Sequence, residues 1–153
     1  MGDTFRDMEH EERRGKKEDK IFSFFLHGIA IAQGRPRFRR TGTFVQTYDP
    51  KKSKDWKEMV GWQGKEIKKK NGWAMIEGPI EASIKFMLQR PKSLPKRIEY
   101  HVKKPDCENL SKAIFDALEG IMYKNDSQIW KLSIEKHYET ALPGVSVVLR
   151  ECE

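Results

Sequence analysis

From Ile80 to Leu88 every second residue is apolar: Ile80, Ala82, Ile84, Phe86 and Leu88 alternate with mainly polar neighbours. A period of two predicts a strand with one face buried. From Leu110 the period lengthens, and Leu110, Ala113, Ile114, Ala117 and Leu118 recur at intervals of three, four, seven and eight. That spacing predicts an amphipathic helix, with Glu108, Lys112 and Asp116 on another stripe. Pro105 disfavours helical geometry in Lys104, so Asp106 falls at the N-cap or first turn, and Gly120 supplies a stop. Asp49-Pro50 signals an earlier helix start, and Trp56, Met59, Val60 and Ile67 mark one face of the helix that follows. Asn71-Gly72 and Gly78-Pro79 break the chain before the alternating strand.

Further strands are expected from Ile21 to Gln33, Thr43 to Tyr48, Gln128 to Tyr138 and Gly144 to Arg150. Gly34 to Arg40 reads as a rigid basic loop, Arg90 to Pro105 as a Pro- and Lys-rich loop, and Tyr123 to Asp126 as a polar turn leading into a strand that packs beside the helix start. The expected fold is an α/β domain of the α+β type. It has a mixed, mostly antiparallel sheet with two main helices packed on it. The chain's 153 residues suit one domain. Residues 1–20 carry dense mixed charge and little periodicity, as in a disordered or helical surface extension, which leaves residues 21–153 as the folded domain.

Trp56 lies on the apolar helix face and Trp130 shares an alternating face with Leu132 and Ile134, so both are expected in the core instead of on a base-stacking platform. Cys107 and Cys152 are too few and too far apart for a disulfide scaffold or zinc site, and they suit a reducing cytoplasm. Cys107 reads as a small helix residue, not a nucleophile. No pair of histidines has metal-ligand spacing; His101, just ahead of the acidic run, is the one nearest a site. The longest apolar run, Ile21 to Ala32, is short and interrupted by His27 and Gly28, so no membrane span is expected.

The formal net charge is +7 and the pI about 9.4, as expected of a nucleic-acid-binding domain. No acidic residue occurs between Ile21 and Tyr48, where Arg35, Arg37, Arg39 and Arg40 gather. The same sign recurs in Arg90, Lys92, Lys96, Arg97, Lys103 and Lys104, leading directly into the carboxylates. A charge run is usually a solvated face, but a basic rim running into an acidic cluster suits a phosphate-tracking surface.

Asp106, Glu108 and Asp126 are expected to form an oxygen-rich cluster of the kind that holds Mg²⁺ or Mn²⁺, hard cations that favour carboxylate and water ligands. Taken singly, each has a structural reading: Asp106 caps the helix, Glu108 pairs with Lys112 four residues on, and Asp126 closes a turn. Their joint presence in an otherwise basic protein favours the metal site.

The run Pro105-Asp106-Cys107-Glu108-Asn109-Leu110-Ser111-Lys112, then Asp116-Ala117-Leu118, then Asp126-Ser127-Gln128-Ile129, resembles the signature of the RusA family of Holliday-junction resolvases. Gly34-Arg35-Pro36-Arg37 after the first strand is also similar to the family pattern. Two positions depart from it. Glu108 stands where the family usually has Asp, and Asn125 stands where an Asp often precedes the final ligand. The resemblance implies metal-dependent phosphodiester hydrolysis with Asp106, Glu108 and Asp126 as ligands and Lys112 as the essential lysine. It further implies a homodimer that nicks symmetry-related strands of a four-way DNA junction in bacterial or phage recombination and repair. Arg35, Arg37, Lys103 and Lys104 are the expected DNA contacts. The competing readings are a non-catalytic junction-binding or DNA-architectural protein, and a nuclease selective for flaps or forks.

Overall fold

A computed structural model describes residues 20–34, 37–48 and 50–153. Its elements are β1 (Ile21–His27), β2 (Arg37–Thr41), β3 (Phe44–Tyr48), α1 (Lys51–Asn71), β4 (Ile80–Gln89), α2 (Cys107–Leu118), a 3-10 turn (Asp126–Gln128), β5 (Ile129–Glu139) and β6 (Gly144–Glu151). Four strands form one sheet in the order β1-β6-β4-β5, and β2 and β3 form a separate two-stranded sheet. β6 runs antiparallel to β1 and β4, whereas β4 and β5 are parallel. The domain is thus of the α+β type, with a mixed, mostly antiparallel main sheet.

Parallel neighbours cannot be joined by a hairpin. The crossover from β4 to β5 is supplied by α2, and this sets the geometry of the site below.

Alternation fixes which sheet face is covered. Phe22, Phe24 and Leu26 of β1, Ile80, Ala82, Ile84, Phe86 and Leu88 of β4 and Val145, Val147 and Leu149 of β6 are buried in one cluster. Trp56 and Val60 of α1 and Leu110, Ala113, Ile114 and Leu118 of α2 complete it, so two helix stripes and one sheet face share a single core. The helices approach closely at two glycines. A Cβ on Gly64 would lie 2.9 Å from Leu118 Cδ2, and one on Gly61 would lie 3.5 Å from the Ala117 carbonyl oxygen. α1 closes on Gly72 at φ +63, a left-handed conformation open to glycine without a Cβ clash.

Several sequence expectations shift. The first strand stops at His27, with Gly28 at φ +126, instead of running to Gln33. The basic stretch is not wholly loop: Arg37–Thr41 is a strand paired antiparallel with Phe44–Tyr48. Ladder pairing uses backbone groups, which are the same in arginine as in valine, so side-chain charge did not reveal it. Tyr123, expected to open the polar turn, is fully buried. Trp130 is 62% exposed, against its expected place in the core, whereas Trp56 is buried as expected. The reason is a register shift: Ile80 pairs with Ile129 and Glu81 with Lys131, leaving Trp130 unmatched on an edge strand.

Candidate active site

Asp106 is the N-cap of α2, its Oδ1 accepting the Asn109 N–H at 3.1 Å. Glu108 follows in the first turn, where the helix dipole favours negative charge, and Lys112 lies one turn further along; all three side chains are exposed. Asp116 continues that stripe and is half-buried. Burial pushes its carboxyl above the usual range, opposed by the positive charges of Lys57 and Lys112 and reinforced by the negative charges of Asp126 and Glu119.

Asp126 approaches the other end of the helix. Its backbone N–H donates to Glu119 Oε1 at 3.2 Å, and Glu119 is the C-cap of α2. Beneath these carboxylates Tyr123 donates its hydroxyl to the Phe115 carbonyl at 2.7 Å. Burial, then the charges of Asp126, Glu119 and Asp116, push that hydroxyl's pKa far up, so it stays a donor.

The turn bearing Asp126 is clamped by Gln128. Gln128 Oε1 accepts the N–H groups of Lys124 and Asn125 at 3.0 and 2.9 Å, and its Nε2 donates to the carbonyls of Ile76 and Gly78 at 3.0 and 3.1 Å. Asn125 Oδ1 accepts the Ser127 N–H at 2.9 Å, so the residue that departs from the family pattern here shapes the turn.

The segment before Asp106 is tied down by two cations. Lys136 Nζ donates to the carbonyls of Lys103 and Pro105. Arg90 donates to those of Ile98 and Pro95 while its guanidinium lies 5.2 Å from the centre of the Tyr138 ring. His101 packs on the same tyrosine, with ring centres 4.5 Å apart; burial, then the charge of Lys136, hold its pKa below the usual histidine value. Lys103 and Lys104 are exposed. Arg35 lies outside the described residues, and Arg37 opens β2 opposite Tyr48.

The topology explains what is and is not brought together. In a strand-helix-strand crossover the helix starts at the end of the first strand and finishes at the beginning of the next. Asp106 therefore stands toward the C-terminal end of β4, next to the Pro105 carbonyl that Lys136 of β5 binds, and Asp126 just ahead of β5, with α2 between them. Its 12 residues span about 18 Å at the usual rise. Asp126 consequently packs beside the helix end, not the helix start that the sequence suggested. Among the described residues no three His, Cys, Asp or Glu side chains are placed to hold a metal ion. The oxygen donors suit a hard cation in kind, but one chain divides them into a pair at the helix start and a group at its end.

Sequence reasoning missed Glu119, Tyr123 and Lys136. Gln128 belonged to the matched signature without a role of its own. Glu119 was adjacent to the Gly120 stop and could have been read as a C-cap, whereas no local pattern marks Lys136, whose partners lie 33 and 31 residues away.

The chain is thus a basic α+β domain with exposed carboxylates on one helix and exposed lysines leading into them. A family model described as Endodeoxyribonuclease RusA matches residues 28–150. The chain also resembles Bacillus subtilis (strain 168) YqaN, itself uncharacterized, with 34% identity over 138 residues covering 84% of this chain and 94% of the relative. The protein belongs to the RusA endodeoxyribonuclease family, whose members act on Holliday junctions. Among the described residues no helix is long and apolar enough to cross a membrane.

Proposed function

We propose that this protein is a divalent-metal-dependent endonuclease that resolves four-way DNA junctions by paired nicks, acting as a homodimer in the bacterial cytoplasm. The observation that carries the reading is the family match across residues 28–150, with Asp106, Glu108, Lys112 and Asp126 all present and exposed. Asp106, Glu108 and Asp126 would hold Mg²⁺, or Mn²⁺ in its place. A bound divalent cation supplies an activated water and takes up charge on the scissile phosphate and leaving oxygen. Lys112 neutralises charge that develops on the phosphate during cleavage. Lys103 and Lys104, with Arg35 and Arg37, track the phosphate backbone and orient the strand.

The division of the carboxylates along α2 supports the homodimer. A two-fold axis crossing α2 sets the start of one helix beside the end of its partner, so two copies complete an acidic set that one copy separates. The same arrangement gives two equal sites to a substrate that is itself two-fold. Asp106's engagement as a helix cap favours one alternative, a junction-binding protein without catalysis.

The deciding experiment incubates the protein with a labelled four-way junction and a linear duplex of matched sequence, in Mg²⁺, Mn²⁺ or EDTA. Metal-dependent paired nicks confined to the junction are expected. Tight junction binding without nicks in either metal establishes the non-catalytic alternative, and preferential cutting of flaps or forks added as further substrates redirects the specificity.

A further inference from the structure

Tyr100 and Val102 are 79% and 83% exposed, although both precede the acidic helix by only a few residues. Leaving such side chains in water forgoes about 25 cal/mol for each Å² that burial would have covered. The segment is nonetheless firmly held. The Tyr100 backbone bridges to His137, His101 turns inward onto the Tyr138 ring, and Lys136 grips the carbonyls of Lys103 and Pro105. Upstream, Arg90 grips Pro95 and Ile98. The fold therefore fastens this loop from within while presenting an aromatic and an aliphatic side chain outward.

Their surroundings indicate the partner. Lys96, Arg97, Lys103 and Lys104 are exposed along the same segment, with Glu99 the one acid among residues 96–104. An aromatic ring among cations is suited to nucleic acid whose bases are accessible: the ring stacks on a base while the cations meet phosphates. Linear duplex keeps its base faces inside the stack. A branch point interrupts that stack.

We infer that Tyr100, supported by Val102, stacks on an unstacked base at the branch point and so selects branched over linear DNA. The inference rests on the endonuclease reading and adds a specificity residue to it. Because the Tyr100 side chain is 79% exposed and the loop is bridged to His137 through its backbone, replacing that side chain should leave the fold intact.

The test compares wild type, Tyr100→Ala and Tyr100→Phe in EDTA, measuring affinity for a four-way junction and for linear duplex across a salt series, with sedimentation to record association state. Loss of one stacked base, worth about 1 to 3 kcal/mol, should weaken junction binding by about five-fold to 150-fold for Tyr100→Ala. Duplex affinity and the salt slope should stay unchanged, and Tyr100→Phe should behave as wild type. Equal weakening on both DNAs, or no weakening, overturns the inference. So does a Tyr100→Ala protein that dissociates, which would make Tyr100 a contact between copies. A wild type that neither prefers nor cuts junctions refutes the underlying nuclease reading instead.

Discussion

Lys136 Nζ, on the edge strand β5, donates to the Pro105 carbonyl at 2.9 Å and to the Lys103 carbonyl at 2.8 Å, which fastens the chain immediately before Asp106. An ammonium group held by backbone carbonyls forms charge-assisted bonds that a neutral side chain of similar length cannot replace. Lys136→Met should destabilise the protein by about 1 to 3 kcal/mol in urea unfolding. It should also raise the His101 pKa, followed by NMR titration, because a nearby positive charge disappears. Burial is the larger cause of that depression, so the value should remain below that of an exposed histidine. An unmoved His101 titration would show that Lys136 does not act on it.

Asp106→Asn and Asp126→Asn should each abolish cutting while keeping junction binding, since each loses a proposed ligand and one charge repelling phosphate. Co-expression of the two variants separates the dimer reading from its alternative. If the acidic set is completed between chains, a mixed dimer has one site with both changes and one with neither. It should then nick junctions once, without the paired second cut. If both carboxylates serve within one chain, every site in the mixture is damaged and no nicking returns.

Lys112→Ala should depress the single-turnover rate by about 100-fold or more even with every junction bound, with affinity largely kept. Replacing Arg35 and Arg37 together by Ala should do the reverse. Binding weakens, the log-log salt slope falls by about 0.9 for each lost phosphate contact, and saturating protein restores much of the rate. An unchanged salt slope for the arginine pair, or full rescue of Lys112→Ala by excess enzyme, would end this division of labour.

Gln128→Ala removes a side chain that both accepts two backbone N–H groups and donates to two carbonyls. Its loss should cost about 1 to 3 kcal/mol and release the Asp126 turn, giving faster amide exchange at Lys124 and Asn125. Protection unchanged at those two amides would show that the turn holds its shape without the clamp.

Glu81 bonds to Arg150 across β4 and β6 and lies near Lys131 on β5. The Arg150 hydrogen bond, with help from Lys131 and against burial, lowers its pKa from the ordinary 4.5. A depressed carboxylate stabilises the fold above the unfolded-state value, and the contribution fades as pH falls through the folded value. Glu81→Gln should therefore lower the urea midpoint at pH 7 and converge on wild type in strong acid. A constant difference across the pH range would assign the effect to packing.

The alternation of β4 and the helical period of α2 were legible because each reports a local fact, which side of one element is buried. The Gly72 stop was legible too, since a left-handed position favours one residue type wherever it occurs. Asp106 could be read as a cap from Pro105 and the residues after it. The main elements, their apolar faces and the chemical types of the acidic residues were thus readable from the order of residues alone. That β5 lies parallel to β4, which sends Asp126 to the far end of α2 from Asp106, emerged from the folded chain. So did the place of β5 at the sheet edge with a register shift, which leaves Trp130 in water, and the reach of Lys136 back to Pro105. Periodicity records which side of an element is buried, while strand order and direction depend on contacts between residues far apart in the chain.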